Sequence, residues 1–272
     1  MSDSLEVPRI FGDNMHNRAR YLIFFQYIGT NYSGAVKVPT HQLVRKGVQD
    51  HLEDAIRRLR PLNPVSLSIS SRTDTGVHAL SNSAHFDLQR KNNKPPFTED
   101  VLVEALNFHL RTEQIRITRA HQVPDDFHAR YCAQSRTYVY RIALGISHYS
   151  QLPLTECSLC WNLRNMQIPF WELTFRSRSF LYKQVRRMTG ALVAVGRGEL
   201  SMPQLKDILE ARDSLAYPQG LTAPAQGLFL THVDYREAGE DESNSNKKIC
   251  SFHDRHQRSG YEAQSHQSCN FT

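Results

Sequence analysis

The stretch Ile69-Ser70-Ser71-Arg72-Thr73-Asp74-Thr75-Gly76-Val77-His78-Ala79 decides how the rest of the chain is read. Upstream of it, Val65, Leu67 and Ile69 alternate with polar residues, the pattern of a half-buried strand. The strand runs into small polar residues and then Asp74, with Gly76 two places on to permit a tight turn. A lone carboxylate between Arg72 and a glycine turn, at a strand end, stands where loops carry chemistry. Alone, an Asp-x-Gly is most often an aspartate bonded to its own turn, so the weight rests on its company.

Outward from that turn, residues 20–28 are aromatic and β-branched and predict a buried strand, with Gly29, Asn31 and Gly34 marking a turn after it. Between Gln42 and Leu59, the residues Val44, Val48, Leu52, Ala55, Ile56 and Leu59 recur at helical spacing. His85 to Leu88 reads as a returning strand. Thr98 is placed to cap a helix running through His109, and Ile115 and Ile117 open another strand. Pro124 to Arg130 is a loop whose groups can meet phosphate. Arg136 to Ile142 alternates with period two, which puts Arg136, Tyr138 and Tyr140 on one face and Thr137, Val139 and Arg141 on the other.

Residues 145–170 hold no sustained period. A strand is expected over 171–178, then a helix over 180–195 with Leu181, Val185, Met188, Leu192 and Val195 on its apolar face, ended by Gly196 and Gly198. A short helix over 202–211 and a buried strand over 227–235 follow. Hairpin-like returns among irregularly alternating strands and helices predict an α+β fold. The expected organisation is a flexible start (1–18), an N-terminal half carrying the Asp loop (19–143), a C-terminal half (144–235) and a polar, disordered tail (236–272).

The chain has 272 residues and a formal charge of +6, a balance that fits a nucleic-acid partner. No apolar run is long enough to span a bilayer. Residues 1–18 lack the apolar core of a secretory signal, and Asp3, Glu6 and Asp13 argue against a transit peptide. Five cysteines, an odd number, predict a reducing compartment. Cys157 and Cys160 read as a reduced thiol pair, since zinc would need a second pair of ligands.

Asp74, Tyr138 and Arg186 stand out together. Arg186 lies within an apolar helical stripe, where an inward-facing guanidinium needs a partner, and a carboxylate is the natural one. A facing arginine favours the charged form of a carboxylate and keeps it nucleophilic at neutral pH. Tyr138 supplies a flat ring that can stack on a base and a hydroxyl that can relay a proton. Arg72, Arg111, Arg130, Arg136, Arg141 and Arg176 are candidates for a phosphate path.

These residues sit in longer stretches: Arg72 to Ala79, His85-Phe86-Asp87, Pro124 to Arg130, Ser135 to Tyr138, Phe180 to Gly190 and Gly227 to Leu230. In that order, across most of 20–235, they resemble the TruA family of tRNA pseudouridine synthases. The resemblance implies a pseudouridine synthase fold: a mixed, mainly antiparallel sheet flanked by helices, in two related halves, commonly in a homodimer. It implies isomerisation of uridine in tRNA or another structured RNA, without metal or organic cofactor, in a soluble mitochondrial or cytoplasmic protein. Asp74 would be the catalytic aspartate, Tyr138 the ring that stacks on the target base, and Arg186 the partner of the aspartate. Arg72 would help extrude the uridine and hold its phosphate, with His78, Arg130 and Arg136 as further contacts to RNA.

Two departures go with the resemblance. The family's Gly-Trp-Gln after the first strand is here Gly34-Ala35-Val36. Between Tyr140 and Trp171 a family helix, an Asp-Phe-x-x-Phe segment and a strand have no counterpart, and the junction near 163–168 reads as an internal deletion that leaves the C-terminal half incomplete. A second reading is therefore an RNA-binding form that keeps the groove without turnover. Asp74-Thr75-Gly76 also matches the short signature of aspartic proteases, but those need two such carboxylates and no second Asp-Thr-Gly or Asp-Ser-Gly occurs.

Overall fold

The computed structural model describes residues 18–37, 45–92, 94–144, 152, 156–163, 170–213, 215–218, 220–237, 251–252 and 268–271. Its centre is one mixed sheet. The long strands are β1 (Arg18–Tyr27), β3 (His78–Gln89), β4 (Ile115–Val123), β5 (Ala133–Leu144), β7 (Phe170–Ser177) and β8 (Leu228–Glu237). Shorter pieces are β2 (Ser68–Ile69), β6 (Trp161–Leu163), β9 (Ser251–Phe252) and β10 (Ser268–Phe271). The helices are α1 (Val48–Arg58), α2 (Glu99–His109), α3 (Gln184–Gly196) and α4 (Met202–Ala211).

The strand order is β10-β7-β5-β8-β3-β1-β4, with β2 on β3, β6 on β5 and β9 on β8. Two antiparallel groups are visible in that order. β1 lies between β3 and β4, and β5 lies between β7 and β8. In each group the first long strand is central, which gives the two related halves. They meet in a short parallel pairing, His78 opposite Phe229 and Ala79 opposite Leu230. This seam places the segment before β3 beside β8 and, one strand further, beside β5.

Burial follows chemistry along each strand. Tyr21, Leu22, Ile23, Phe24 and Phe25 of β1 are buried, as a strand covered on both faces requires. On β5, Arg136, Tyr138, Tyr140 and Ile142 are buried, the period-two face read from the sequence. α1 buries Val48, Leu52, Ala55 and Ile56, and α2 buries Leu102 and Leu106. α1 starts later than its periodicity predicts because the Gly34-Ala35 turn captures its first N–H groups. The Val48 and Gln49 amides donate to the Gly34 and Ala35 carbonyls at 3.0 and 2.9 Å. Val44 lies outside the described residues.

α3 departs further from expectation. It begins at Gln184, after a turn in which Lys183 is left-handed at φ 55°. Its buried residues are Val185, Thr189, Gly190, Ala191 and Ala194, whereas Leu181 and Leu192 are exposed. The cause is a close backbone approach: a Cβ on Gly190 would lie 1.6 Å from the Leu221 carbonyl oxygen. The small-residue face therefore packs inward. Phe175, Met188, Leu192, Leu205 and Leu209 line an apolar groove of about 550 Å³ with α4. Gly190→Ala should cost about 2–3 kcal/mol, the scale of overpacking against backbone, read as a fall of several degrees in the thermal midpoint.

Of the junction expected near 163–168, all but Leu163 lies outside the described residues, as does most of the tail expected to be disordered. The tail's described parts are the end of β8 (Arg236 and Glu237), β9 and β10, and β10 pairs in parallel with β7. Cys157 and Cys160 are free thiols packed with Ala143 and Leu152. Among the described residues, no helix is long and apolar enough to cross a membrane.

Candidate active site

Asp74 opens a four-residue turn in which the Val77 amide donates to its carbonyl at 3.2 Å. Gly76 takes φ +79° at the third position, a conformation only glycine adopts without strain. The turn is braced from behind by Gly34 (φ +96°), whose absent side chain leaves room for the Thr73 carbonyl. The Ala35 amide donates to that same oxygen at 3.1 Å. The carboxylate is thereby held at the seam between the halves.

Arg186 reaches it from the first turns of α3. Its Nη1 lies 3.0 Å from Asp74 Oδ2, and both side chains are largely buried, 13% and 21% exposed. Its Nε donates to the Ala223 carbonyl at 2.7 Å, while the Ala223 amide donates back to the Arg186 carbonyl at 3.1 Å. The guanidinium is thus fixed by two elements before it meets the carboxylate. The pairing expected across 112 residues of sequence is formed.

Tyr138, central on β5, lines the same cavity of about 630 Å³ as Asp74, Arg186 and Arg72. Its ring meets Phe180 edge-on, with centroids 5.3 Å apart. Burial, with smaller contributions from Tyr27 and the Asp74 charge, pushes its phenol far above the ordinary value. Tyr138 therefore stays neutral at working pH and offers a ring face and an O–H rather than a base.

The remaining expected residues divide. Arg72 and Arg130 are exposed and line the cavity. Arg136 also lines it, yet its guanidinium is buried and committed. It donates to Ser71 Oγ and to the carbonyls of Ser70, Arg130, Ala133 and Arg178. All five of its N–H groups are used, with no carboxylate partner among the described residues, so it clamps three segments rather than presenting donors to RNA. His78 is a correction. It is fully buried at the start of β3, accepts from the Gly29 amide at Nδ1 (2.9 Å) and stacks on Phe229. It has no surface to offer an RNA.

Sequence reasoning missed the polar network beneath the site. Tyr27 bonds Thr73 at 2.8 Å, and Asn82 donates to the Ser71 carbonyl at 3.0 Å and accepts from Ser70. Ser83 bonds Ser70 and Tyr235, which donates to the Ala129 carbonyl. Burial pushes Tyr27 and Tyr235 up to about 12, so the network carries no charge at neutral pH. Only the hydroxyl- and amide-rich runs 70–73 and 81–83 hint at it in sequence.

A second cluster sits beside the 124–130 loop. Although burial alone would raise Asp87, its bonds to Arg20 and Arg18 hold it below the usual carboxylate range. Burial, then His128 and Arg20, push His85 down to about 4 from 6.5. As pH falls, the unfolded chain therefore takes up this proton first, and stability is lost from pH 6.5 to 4 as the folded imidazole resists charging. The loss should reach about 3 kcal/mol by pH 4. His85→Asn, which keeps an acceptor for the Ala129 amide, should flatten that slope in denaturant titrations run across the window; an unchanged slope would assign it to other groups.

A sequence profile of tRNA pseudouridine synthases matches residues 23–132 and 152–236, one stretch in each half. Asp74 and Arg186 fall inside these stretches, and Tyr138 lies on the strand between them. The chain is 44% identical over 281 positions to tRNA pseudouridine synthase-like 1 of Xenopus laevis, covering 81% of this chain and 93% of that one. It is 43% identical to the protein of the same name in Homo sapiens (82% and 92% covered). It is 32% identical to tRNA pseudouridine synthase A of Paramagnetospirillum magneticum (81% and 96% covered). Since 81% of 272 residues is about 220, roughly 60 of the 281 positions shared with the frog protein have no residue in this chain. A seam-borne aspartate paired with an α3 arginine, on a sheet of two antiparallel halves, thus comes with similarity over about four-fifths of the chain to one group of proteins: the chain belongs to the tRNA pseudouridine synthase family.

Proposed function

We propose that this chain isomerises uridine to pseudouridine in tRNA, with Asp74 as the reacting carboxylate. One observation carries the assignment of Asp74. Among the described residues lining the cavity it is the only carboxylate, it is paired with Arg186, and it shares that cavity with the ring of Tyr138. Among the other charged lining residues, Arg136 and Arg186 are committed within the protein, and Arg72, Arg130, Arg178 and Lys183 form a set suited to phosphates.

The reaction breaks the N1–C1′ bond, turns the uracil, forms a C5–C1′ bond, and moves one proton from C5 to solvent while N1 gains one. No electrons are exchanged with an outside partner. Asp74 supplies either covalent capture or proton transfer at the sugar and base. Arg186 holds the carboxylate in place, and Tyr138 holds the detached uracil by its ring face. The uridine must leave its stack to reach so recessed a group, and Arg72 at the rim is placed to hold its phosphate. The test is to incubate the full chain with tRNA, digest to nucleosides and separate them. A C-linked isomer of uridine is expected; RNA binding without that product would overturn the assignment.

We further infer that the positions missing relative to the frog protein form one block lost between β6 and β7. The open apolar groove of α3 and α4 supports this, because large side chains there lack the cover that burial of such a face requires. A transcript that carries an in-frame block of this length between the codons near Asn165 and Trp171 would establish it; a continuous genomic reading across that point would refute it.

A further inference from the structure

Two tyrosines at the cavity are unaccounted for by the chemistry above. Tyr131 and Tyr182 both line it, yet their side chains stand in solvent, 74% and 71% exposed. Single exposed aromatics are ordinary. These two combine a place at the cavity with a shared construction. Each has a cation within reach of its ring: Arg130 Cζ lies 5.9 Å from the centre of Tyr131, and Lys183 Nζ lies 5.0 Å from the centre of Tyr182.

Tyr131 also has a ring contact behind it, and the turn that carries Tyr182 is closed by its own hydrogen bonds. The Tyr131 ring lies on His128 at 4.3 Å and 35°, and His128 in turn meets buried His85 at 4.6 Å. The Tyr131 amide donates to the His128 carbonyl at 3.1 Å, closing the turn that presents it. Tyr182 sits in the turn before α3, which closes when the Leu181 amide donates to Gln184 Oε1 at 2.8 Å and the Gln184 amide donates to the Leu181 carbonyl at 3.1 Å. Both segments are tied to the same buried guanidinium, since Arg136 donates to the carbonyls of Arg130 and Arg178. The backbone that carries both rings is consequently set at the cavity mouth.

When one nucleotide is drawn out of an RNA strand, the bases on either side each lose a stacking neighbour. A flat, pre-placed aromatic ring replaces that contact without reading sequence, and an adjacent cation meets the phosphate between them. We propose that Tyr131 and Tyr182 are stacking platforms for the two bases that flank the uridine entering the cavity. This rests on the reading of the cavity as a uridine site in RNA. It adds that recognition extends one nucleotide to each side and tolerates any base there.

The test uses the full chain and an RNA stem-loop with the fluorescent base 2-aminopurine on one side or the other of the target uridine. Wild-type protein should quench both probes. Tyr131→Ala and Tyr182→Ala should each abolish the quench on one side only, and each should weaken RNA binding about tenfold, near the lower part of what one stacked base contributes. Tyr131→Phe and Tyr182→Phe, which keep the ring, should restore quench and affinity. Turnover by wild-type protein is measured on the same RNA. Side-specific loss of quench supports the platforms even if that RNA is not isomerised, which would count against the isomerase reading alone. Isomerisation with quench unchanged in both alanine variants overturns the platforms and leaves the isomerase reading standing.

Discussion

Asp74→Asn should abolish isomerisation and leave RNA binding intact or slightly tighter. The substitution keeps the size and planarity of the side chain, and its Oδ1 can still accept from Arg186. What goes is the charge and the nucleophilic oxygen, and loss of a group on which the bond-breaking step depends costs about 10⁴-fold or more. The direction of the binding effect follows from the cavity's charges. Among the described lining residues Asp74 is the one anion beside six cationic groups, so neutralising it raises the positive potential that meets the phosphates. Product formation is read by nucleoside separation and affinity by titration at fixed salt. Turnover within tenfold of wild type would remove Asp74 from the chemistry, whatever happens to binding.

Arg136→Met should destabilise the protein more than any substitution at the cavity rim. The methionine matches the stem of the arginine but returns none of its five donated hydrogen bonds, three of them buried (to Ser71 Oγ and the Ser70 and Ala133 carbonyls) and two part-buried (to the Arg130 and Arg178 carbonyls). Each buried unsatisfied acceptor costs about 1–3 kcal/mol, with part recovered by relaxation, and a net loss of about 3 kcal/mol is expected. In a domain of this size that is a fall of roughly 10 °C in the thermal midpoint. Arg136→Lys keeps the charge with three donors and should recover only part of it. A midpoint unchanged by Arg136→Met would mean that the three segments are held by something other than this clamp.

The difference between Arg136 as expected and as found shows where sequence reading stops. The alternation over 136–142 is a local property, and it correctly put Arg136, Tyr138 and Tyr140 on one face. Which face looks into the protein, and how closely carbonyls gather around a guanidinium there, depends on loops at 70–71, 130–133 and 178 that meet only in three dimensions. His78 was misplaced for a related reason. The turn at Gly76 ends at once, and β3 begins at His78 itself, so a residue that reads as loop is the first buried position of a central strand. The parallel seam between β3 and β8 leaves no periodic trace in either segment.

Arg186 was legible by a different route. A charged residue in an apolar helical stripe demands a partner, and that demand pointed to a carboxylate long before any geometry could. The same stripe misled for Leu181 and Leu192. Helical periodicity identifies an apolar face, but at α3 the contact made through Gly190 chooses the neighbouring small-residue face. The large residues are left facing an open groove with α4.

The central claim is that the paired carboxylate at the seam carries out the exchange of N1 for C5 on the sugar. It is tested most directly by single-turnover reaction with RNA carrying tritium at C5 of uridine, protein in excess. The predicted result is release of the label from the target position to water, because C5 must lose its hydrogen to become the new point of attachment, with no release by Asp74→Asn. Full binding of the RNA by the wild-type chain with the label retained would contradict the account.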